Sequence, residues 1–131
     1  MARYPEVQEK LRQEMSNTLE GDRMPTYDDV RNMKYLNWVI KEVLRVYPPV
    51  PQNLRVANKD TILPVGGGPD GRSPVFIPKG HECSFSSYSL HRREDLWGKD
   101  SLDFRPERWE KERPTWSYIP FSGGPRICLG K

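Results

Sequence analysis

Apolar positions recur at helical spacing in the first third of the chain. Residues 4–20 predict a helix with an apolar residue every four positions. Residues 27–34 predict a short second helix, and residues 35–47 predict a third with an apolar stripe expected to be buried. That stripe consists of Leu36, Val39, Ile40, Val43 and Leu44. Pro48 and Pro49 end the third helix, because a proline pushes the residue before it out of the helical conformation.

After Pro51 the spacing changes to short extended runs separated by turn residues. This strand region covers residues 54–85, and residues 66–73 within it predict a loop or a long hairpin connection. Residues 93–118 mix charges, prolines and tryptophans without a period. That mixture predicts an irregular meander with one short helix near residues 94–97.

The composition of the chain is poor in residues that form a hydrophobic core. The chain has 131 residues and 13 prolines, and only 35% of its residues are hydrophobic. It is therefore either a small unusual domain or a piece of a larger one. It contains no membrane-spanning run and no targeting segment. The net charge of +3 is too small and too evenly spread to indicate a nucleic-acid partner.

Two pieces of sequence carry charge patterns of interest. Glu42 and Arg45 are three positions apart and share one face of the third helix. Arg108, in the run Arg-Pro-Glu-Arg-Trp, would complete a network of three charges if the fold brought it to them. The alternative for Glu42 and Arg45 is an ordinary surface ion pair of little energetic value.

The C-terminal cysteine follows a glycine-rich turn. Glycines allow backbone N–H groups to converge on one point, and donors aimed at the sulfur of Cys128, with Arg126 nearby, would favour its thiolate. A thiolate is a nucleophile or a metal ligand. The alternative is a buried cysteine that packs as a small hydrophobic residue.

The C-terminal run resembles a known cofactor-binding loop. Its pattern, with fixed residues Phe121, Gly124, Arg126, Cys128 and Gly130, is similar to the haem-ligand loop of the cytochrome P-450 superfamily of haem-thiolate monooxygenases. Glu42, Arg45 and Arg108 occur in the order of that superfamily's structural triad. The stretch from Tyr47 to Trp109 is most similar to fungal members that hydroxylate alkanes and fatty acids.

The resemblance implies a role for each of these residues. Cys128 would be the axial ligand of the iron of haem b, and no other catalytic residue is implied. Arg126 and Arg55 would pair with haem propionates. Phe121 would pack beside the loop, Gly124 would shape its turn, and Gly130 would let a following helix approach the porphyrin. The substrate-pocket candidates are Val50, Gln52 and Asn53.

The resemblance also implies a fold and a function. The fold would be mainly α with a small β-sheet, and residues 1–131 would form part of one haem-thiolate domain with its ligand loop at 121–130. The parent enzyme would insert one oxygen atom from O₂ into an apolar small molecule. It would receive electrons from NADPH through a reductase, and a membrane anchor elsewhere would hold it on the cytosolic face of the endoplasmic reticulum.

The family's chains are longer, so we expect this chain to be a fragment covering about a quarter of one. Alone it would be poorly stable and inactive. Two alternatives stay open: a peroxygenase or rearrangement enzyme using the same haem, and a small basic interaction module whose cysteine loop is coincidental.

The remaining polar and aromatic residues are interpreted as structural. His91 receives no catalytic role, and Cys83 is expected to be a core thiol. The spacing of the histidines and cysteines does not fit a structural zinc site. Four tryptophans are expected to be packing anchors: Trp38, Trp97, Trp109 and Trp116.

Overall fold

The structure is a computed structural model that describes residues 3–19, 21 and 23–130. Within these residues, five helices and four strands follow one another in the order α1–α3, β1–β4, α4–α5, and two 3₁₀ turns follow them. The helices are α1 (Pro5–Thr18), α2 (Tyr27–Asn32), α3 (Lys34–Val46), α4 (Ser87–Leu90) and α5 (Glu94–Trp97). The strands are β1 (Gln52–Val56), β2 (Thr61–Gly67), β3 (Ser73–Ile77) and β4 (Glu82–Ser86), and the 3₁₀ turns are Pro106–Glu110 and Gly124–Arg126.

The first two helices begin where local chemistry satisfies their free N–H groups. Pro5 occupies the first turn of α1, where its missing N–H costs nothing. The expected last residue of this helix, residue 20, lies outside the described residues. Thr26 precedes α2 in a capping box: its Oγ1 accepts the Asp29 N–H at 3.2 Å, and the Asp29 carboxylate accepts the Thr26 N–H at 2.7 Å.

Helix α3 buries a different face from the one its apolar stripe predicts. Val39 is buried, but Ile40 and Val43 are 47% and 38% exposed. Glu42 and Arg45 are fully buried instead. The expectation that the whole apolar stripe would be buried was therefore wrong, because α3 packs against the 3₁₀ turn Pro106–Glu110, which supplies charged and indole partners rather than an apolar surface.

The strands form two separate antiparallel pairs and not one small sheet. β1 pairs with β4, with Gln52 opposite Ser86 and Val56 opposite Glu82. β2 pairs with β3 as a hairpin whose register shifts between Leu63 and Gly67. The expectation of a single small sheet was wrong in this respect, because among the residues that the structure describes β2 and β3 pair with each other and with no other strand.

The core lies between α3 and the meander, and Trp97 and Trp109 are its largest buried apolar side chains. Their rings meet edge to face at 5.7 Å. Trp116 is 70% exposed, so its expected role as a packing anchor was wrong. Within the described part of the chain, no helix has the length and apolar character needed to cross a bilayer.

Candidate functional site

The site is organised by the loop that carries Cys128. Ser122 and Gly124 both adopt the left-handed backbone conformation, with φ of 64° and 72°. The Cys128 N–H donates to the Phe121 carbonyl at 3.0 Å, which closes the loop on itself. Cys128 is an exposed, free cysteine. Because a non-glycine residue rarely adopts positive φ, the strain at Ser122 marks this turn as a constrained position.

A cleft of about 240 Å³ opens beside this loop. Strand β1, strand β4 and the loop form its walls, and apolar side chains predominate. Its lining residues are Pro49, Val50, Asn53, Phe85, Ser87, Ile119, Pro120, Phe121, Ser122, Arg126 and Cys128. Val50 and Asn53, two of the three residues expected near a substrate, therefore share a cleft with the cysteine. Gln52 is exposed and does not line it.

Two arginines flank the loop. Asn53 and Arg55 are the half-buried positions of β1, whereas Leu54 and Val56 are exposed. Arg55 Nη2 donates to Ser122 Oγ at 3.4 Å, and its guanidinium lies 5.3 Å from the centre of the Phe85 ring. Arg55 and Arg126 also line one neighbouring cleft of about 350 Å³. The fold thus brings both predicted arginines to the cysteine loop.

This donor set fits a haem. A porphyrin presents an apolar ring, two carboxylates and an iron with an axial position, and the site offers an apolar wall, two guanidinium groups and one thiol. Exposed side chains at Ile127 and Leu129 add apolar surface on either side of the cysteine.

One local expectation is not met. We expected loop N–H groups to converge on the sulfur, but among residues 3–19, 21 and 23–130 the Cys128 Sγ accepts no hydrogen bond. The Cys128 N–H instead donates to the Phe121 carbonyl. Gly130 lies against the sulfur, since a Cβ built on it would be 3.8 Å from Sγ.

The fold brings Glu42, Arg45 and Arg108 together in the interior. Arg45 Nε and Nη2 donate to the two Glu42 oxygens at 2.9 Å each, and Arg108 Nε donates to Oε1 at 3.0 Å. The side chains of all three have no exposed surface. The alternative of a surface ion pair was therefore wrong for Glu42 and Arg45.

Backbone carbonyls of the meander satisfy the remaining guanidinium donors. Arg45 donates to the carbonyls of His91, Ser101 and Asp103 at 2.6–2.8 Å. Arg108 donates to the Asp100 carbonyl at 2.8 Å. The triad therefore fixes the irregular segment 91–108 against α3, where no regular hydrogen-bond ladder is available to do so.

Sequence reasoning missed two polar contacts of this network. Trp109 Nε1 donates to Glu42 Oε2 at 3.0 Å, so this tryptophan is a hydrogen-bond donor as well as a packing residue. His91 is fully buried and bonded at both ring nitrogens, to the Arg45 carbonyl and the Ile119 N–H. The adjacency of Trp109 to Arg108 is a signal for the first contact, but the sequence holds none for the second.

His81 and Cys83 line neither of the two clefts. His81 is exposed, and Cys83 is half-buried on β4 directly opposite Arg55. Across the described residues, no group of three or more histidine, cysteine or acidic side chains is arranged to hold a metal ion.

The chain is similar in sequence to known cytochrome P-450 proteins. The cytochrome P-450 family model matches residues 1–131. The chain is 53% identical over 131 residues to the cytochrome P-450 monooxygenase fsdH of Fusarium heterosporum, which is all of this chain and 23% of that protein. It is 53% identical over 131 residues to the monooxygenase himC of Aspergillus japonicus, covering 24% of it. It is 48% identical over 137 aligned residues to cytochrome P-450 52A13 of Debaryomyces hansenii, covering 26% of it. The chain thus spans about a quarter of the length of these curated relatives.

Proposed function

The chain belongs to the cytochrome P-450 family, and from that membership we propose that it is part of a haem-thiolate monooxygenase. The reaction is the insertion of one oxygen atom from O₂ into an apolar substrate, with reduction of the second oxygen atom to water. One observation carries the proposal: an exposed cysteine thiol faces an apolar cleft that two guanidinium groups flank.

Each residue of the loop has a defined task in this proposal. Cys128 would ligate the iron of haem b through its thiolate, and the haem, when bound, would supply the oxygen-activating chemistry, which a thiolate ligand favours. Arg126 and Arg55 would hold the two propionates by charge-assisted hydrogen bonds. Ser122 Oγ accepts a hydrogen bond from Arg55 and so orients its guanidinium.

The loop backbone keeps the thiol in place. Gly124 provides the positive φ that the turn needs, and the Cys128 N–H bond to Phe121 fixes the sulfur-bearing residue relative to the cleft wall. Gly130 lies next to the sulfur without a side chain, since a Cβ built on it would be 3.8 Å from Sγ. These contacts would hold the thiol in place for the iron.

The substrate class and partners extend the proposal further. Val50 and Asn53 line the cleft that would hold the haem and would therefore lie beside it. The resemblance of the stretch Tyr47–Trp109 to fungal hydroxylases favours an alkane or a fatty acid as the substrate. Electrons would come from NADPH through a reductase. An anchor elsewhere in the protein would hold it on the cytosolic face of the endoplasmic reticulum membrane.

We propose that this chain alone is not an active monooxygenase. Large apolar side chains are exposed on α3, on the β2–β3 hairpin and beside the cysteine. They include Ile40, Val43, Ile62, Val65, Phe76 and Leu129. Exposed apolar surface of this extent fits a chain that packs against further structure in a longer protein.

The test compares cysteine variants of the full-length protein loaded with haem. Wild type and Cys83→Ser should show the long-wavelength Soret band of thiolate ligation in the reduced carbonyl form, and Cys128→Ser should lose it. Cys83 is the matched control, because it is the other cysteine and lies on the strand next to the site. A thiolate band that survives Cys128→Ser would refute the assignment.

A further inference from the structure

His91 lies between helix α3 and the segment that enters the cysteine loop. Its side chain is fully buried. Nδ1 lies 3.2 Å from the Arg45 carbonyl oxygen, and Nε2 lies 2.9 Å from the Ile119 nitrogen. The ring packs against Tyr118 at 5.3 Å and against Trp97 at 6.4 Å between ring centres. One side chain therefore joins two distant segments and is held by rings on both sides.

The two partners determine the tautomer. A backbone N–H can only donate and a carbonyl can only accept, so Nε2 carries no proton and Nδ1 carries one. Burial lowers the pKa of His91 to about 4, and the nearby positive charges of Arg45 and Arg92 act in the same direction. The ring is therefore neutral at physiological pH, which is the state that this pair of hydrogen bonds requires.

Ile119 is the first residue of the turn that leads to Cys128. The Ser122 N–H donates to the Ile119 carbonyl at 3.0 Å, and Phe121, between them, accepts the Cys128 N–H at 3.0 Å. The Ile119 N–H, at the start of this turn, donates to His91 Nε2. The contacts thus run from the triad residue Arg45 through His91 to the loop, in three hydrogen-bonded steps.

We propose that His91 is a positioning residue, which fixes the cysteine loop relative to helix α3 by holding Ile119 at its Nε2 and the Arg45 carbonyl at its Nδ1. The inference rests on the proposed function, because it takes Cys128 to be the haem ligand. It differs from a simple packing role, since a packed ring of the same size without the two nitrogens would not hold the Ile119 N–H.

The test uses the haem-loaded full-length protein with three variants. His91→Phe keeps a ring but removes both hydrogen bonds, whereas His91→Gln retains one donor and one acceptor. The control, His81→Phe, changes the other histidine, which is exposed. His91→Phe should weaken haem binding about tenfold, because one lost hydrogen bond can cost up to about a factor of ten in an equilibrium constant. It should also lower the fraction of the protein that shows the spectrum of thiolate ligation. His91→Gln should recover most of both, and His81→Phe should match wild type.

Amide hydrogen exchange gives a readout that does not depend on haem chemistry. Exchange of the Ile119, Phe121 and Ser122 amides should accelerate in His91→Phe and not in His91→Gln. Equal behaviour of the two variants in both exchange and haem affinity would overturn the proposal, because only packing would then matter.

A measurement on wild type covers the case in which His91→Phe does not fold. Nitrogen NMR of the labelled ring at neutral pH should show a protonated Nδ1 and a bare Nε2, and the opposite tautomer would overturn the proposal. If wild type bound no haem, the proposed function would fail, while the tautomer and the exchange of residues 119–122 would still decide the position of His91.

Discussion

Replacement of Glu42 by glutamine should be among the most damaging single changes in the chain. The Glu42 carboxylate accepts five hydrogen bonds at 2.9–3.0 Å. The donors are Arg45 Nε, Arg45 Nη2, Arg108 Nε, the Arg105 N–H and Trp109 Nε1. An amide of the same shape replaces one accepting oxygen by an NH₂ group, which then faces donors. It also removes the negative charge between two buried guanidinium groups.

The magnitude follows from burial. The side chains of Glu42, Arg45 and Arg108 have no exposed surface, so water does not replace the lost carboxylate. Removing one partner of a buried ion pair costs about 3–5 kcal/mol. The matched control is Glu9→Gln, which breaks an exposed pair with Arg12 at 3.9 Å and should cost less than about 1 kcal/mol.

The assay is urea unfolding of the full-length protein followed by circular dichroism. Relative to wild type, Glu42→Gln should lower the free energy of unfolding by at least about 3 kcal/mol, and Glu9→Gln should leave it nearly unchanged. The double variant Glu42→Gln with Arg45→Met should lose less than the sum of the two single losses, because it removes both charges. A loss for Glu42→Gln as small as that for Glu9→Gln would refute the reasoning.

Four further predictions concern pH, the loop, the haem contacts and a helix cap. The pKa of His91 is lowered to about 4 in the folded protein, so the unfolded chain takes up this proton at a higher pH than the folded one. Unfolding measured at several pH values should show full stability above about pH 6.5 and a loss of stability towards pH 4, with a shallower loss in His91→Gln. Equal slopes of stability against pH in the two proteins would contradict this. Gly124→Ala should cost about 1–2 kcal/mol in urea unfolding, because φ is 72° while no atom lies within 4 Å of an added Cβ; no change would show that the turn relaxes freely. Arg126→Ala should weaken haem binding about tenfold or more in titrations, with Arg72→Ala at the hairpin tip as the unchanged control; equal affinities would count against a propionate contact. Thr26→Ala should cost about 0.5–2 kcal/mol, since it removes the Thr26 half of the capping box; an unchanged urea midpoint would show that the cap contributes nothing.

Local sequence signals were sufficient for much of the secondary structure. Pro5, the Thr26–Asp29 box and Pro48 act within one turn of their own position, so they mark helix ends without knowledge of the rest of the fold. Glycine-rich and Asn-Asp-rich stretches mark the strand connections for the same reason.

The face of α3 that is buried depends on its tertiary contacts and could not be predicted from the spacing of apolar residues. The apolar spacing of α3 predicts a buried Ile40, but a helix buries whichever face its partner covers, and here the partner brings Arg108 and Trp109 to Glu42. The motif residues of the site were identifiable because they are close in sequence. His91 was not, because its partners Arg45 and Ile119 are 46 and 28 positions away.

Strand β1 is a second example in which tertiary contacts determine which residues are buried. Leu54 and Val56 are exposed, whereas Asn53 and Arg55 are the half-buried pair of β1, and Arg55 donates to Ser122 of the cysteine loop. In the proposed haem site Arg55 is a half-buried cation next to an apolar cleft, and only the resemblance of Arg55 to a propionate-binding position pointed to it in advance.

The iron–sulfur bond is the most direct test of the proposed function. X-ray absorption at the iron edge of the haem-loaded full-length protein should show one sulfur neighbour in wild type and in Cys83→Ser. The sulfur neighbour should be absent from Cys128→Ser. Iron without a sulfur neighbour in wild type, or with one that persists in Cys128→Ser, would contradict the assignment of Cys128 as the axial ligand.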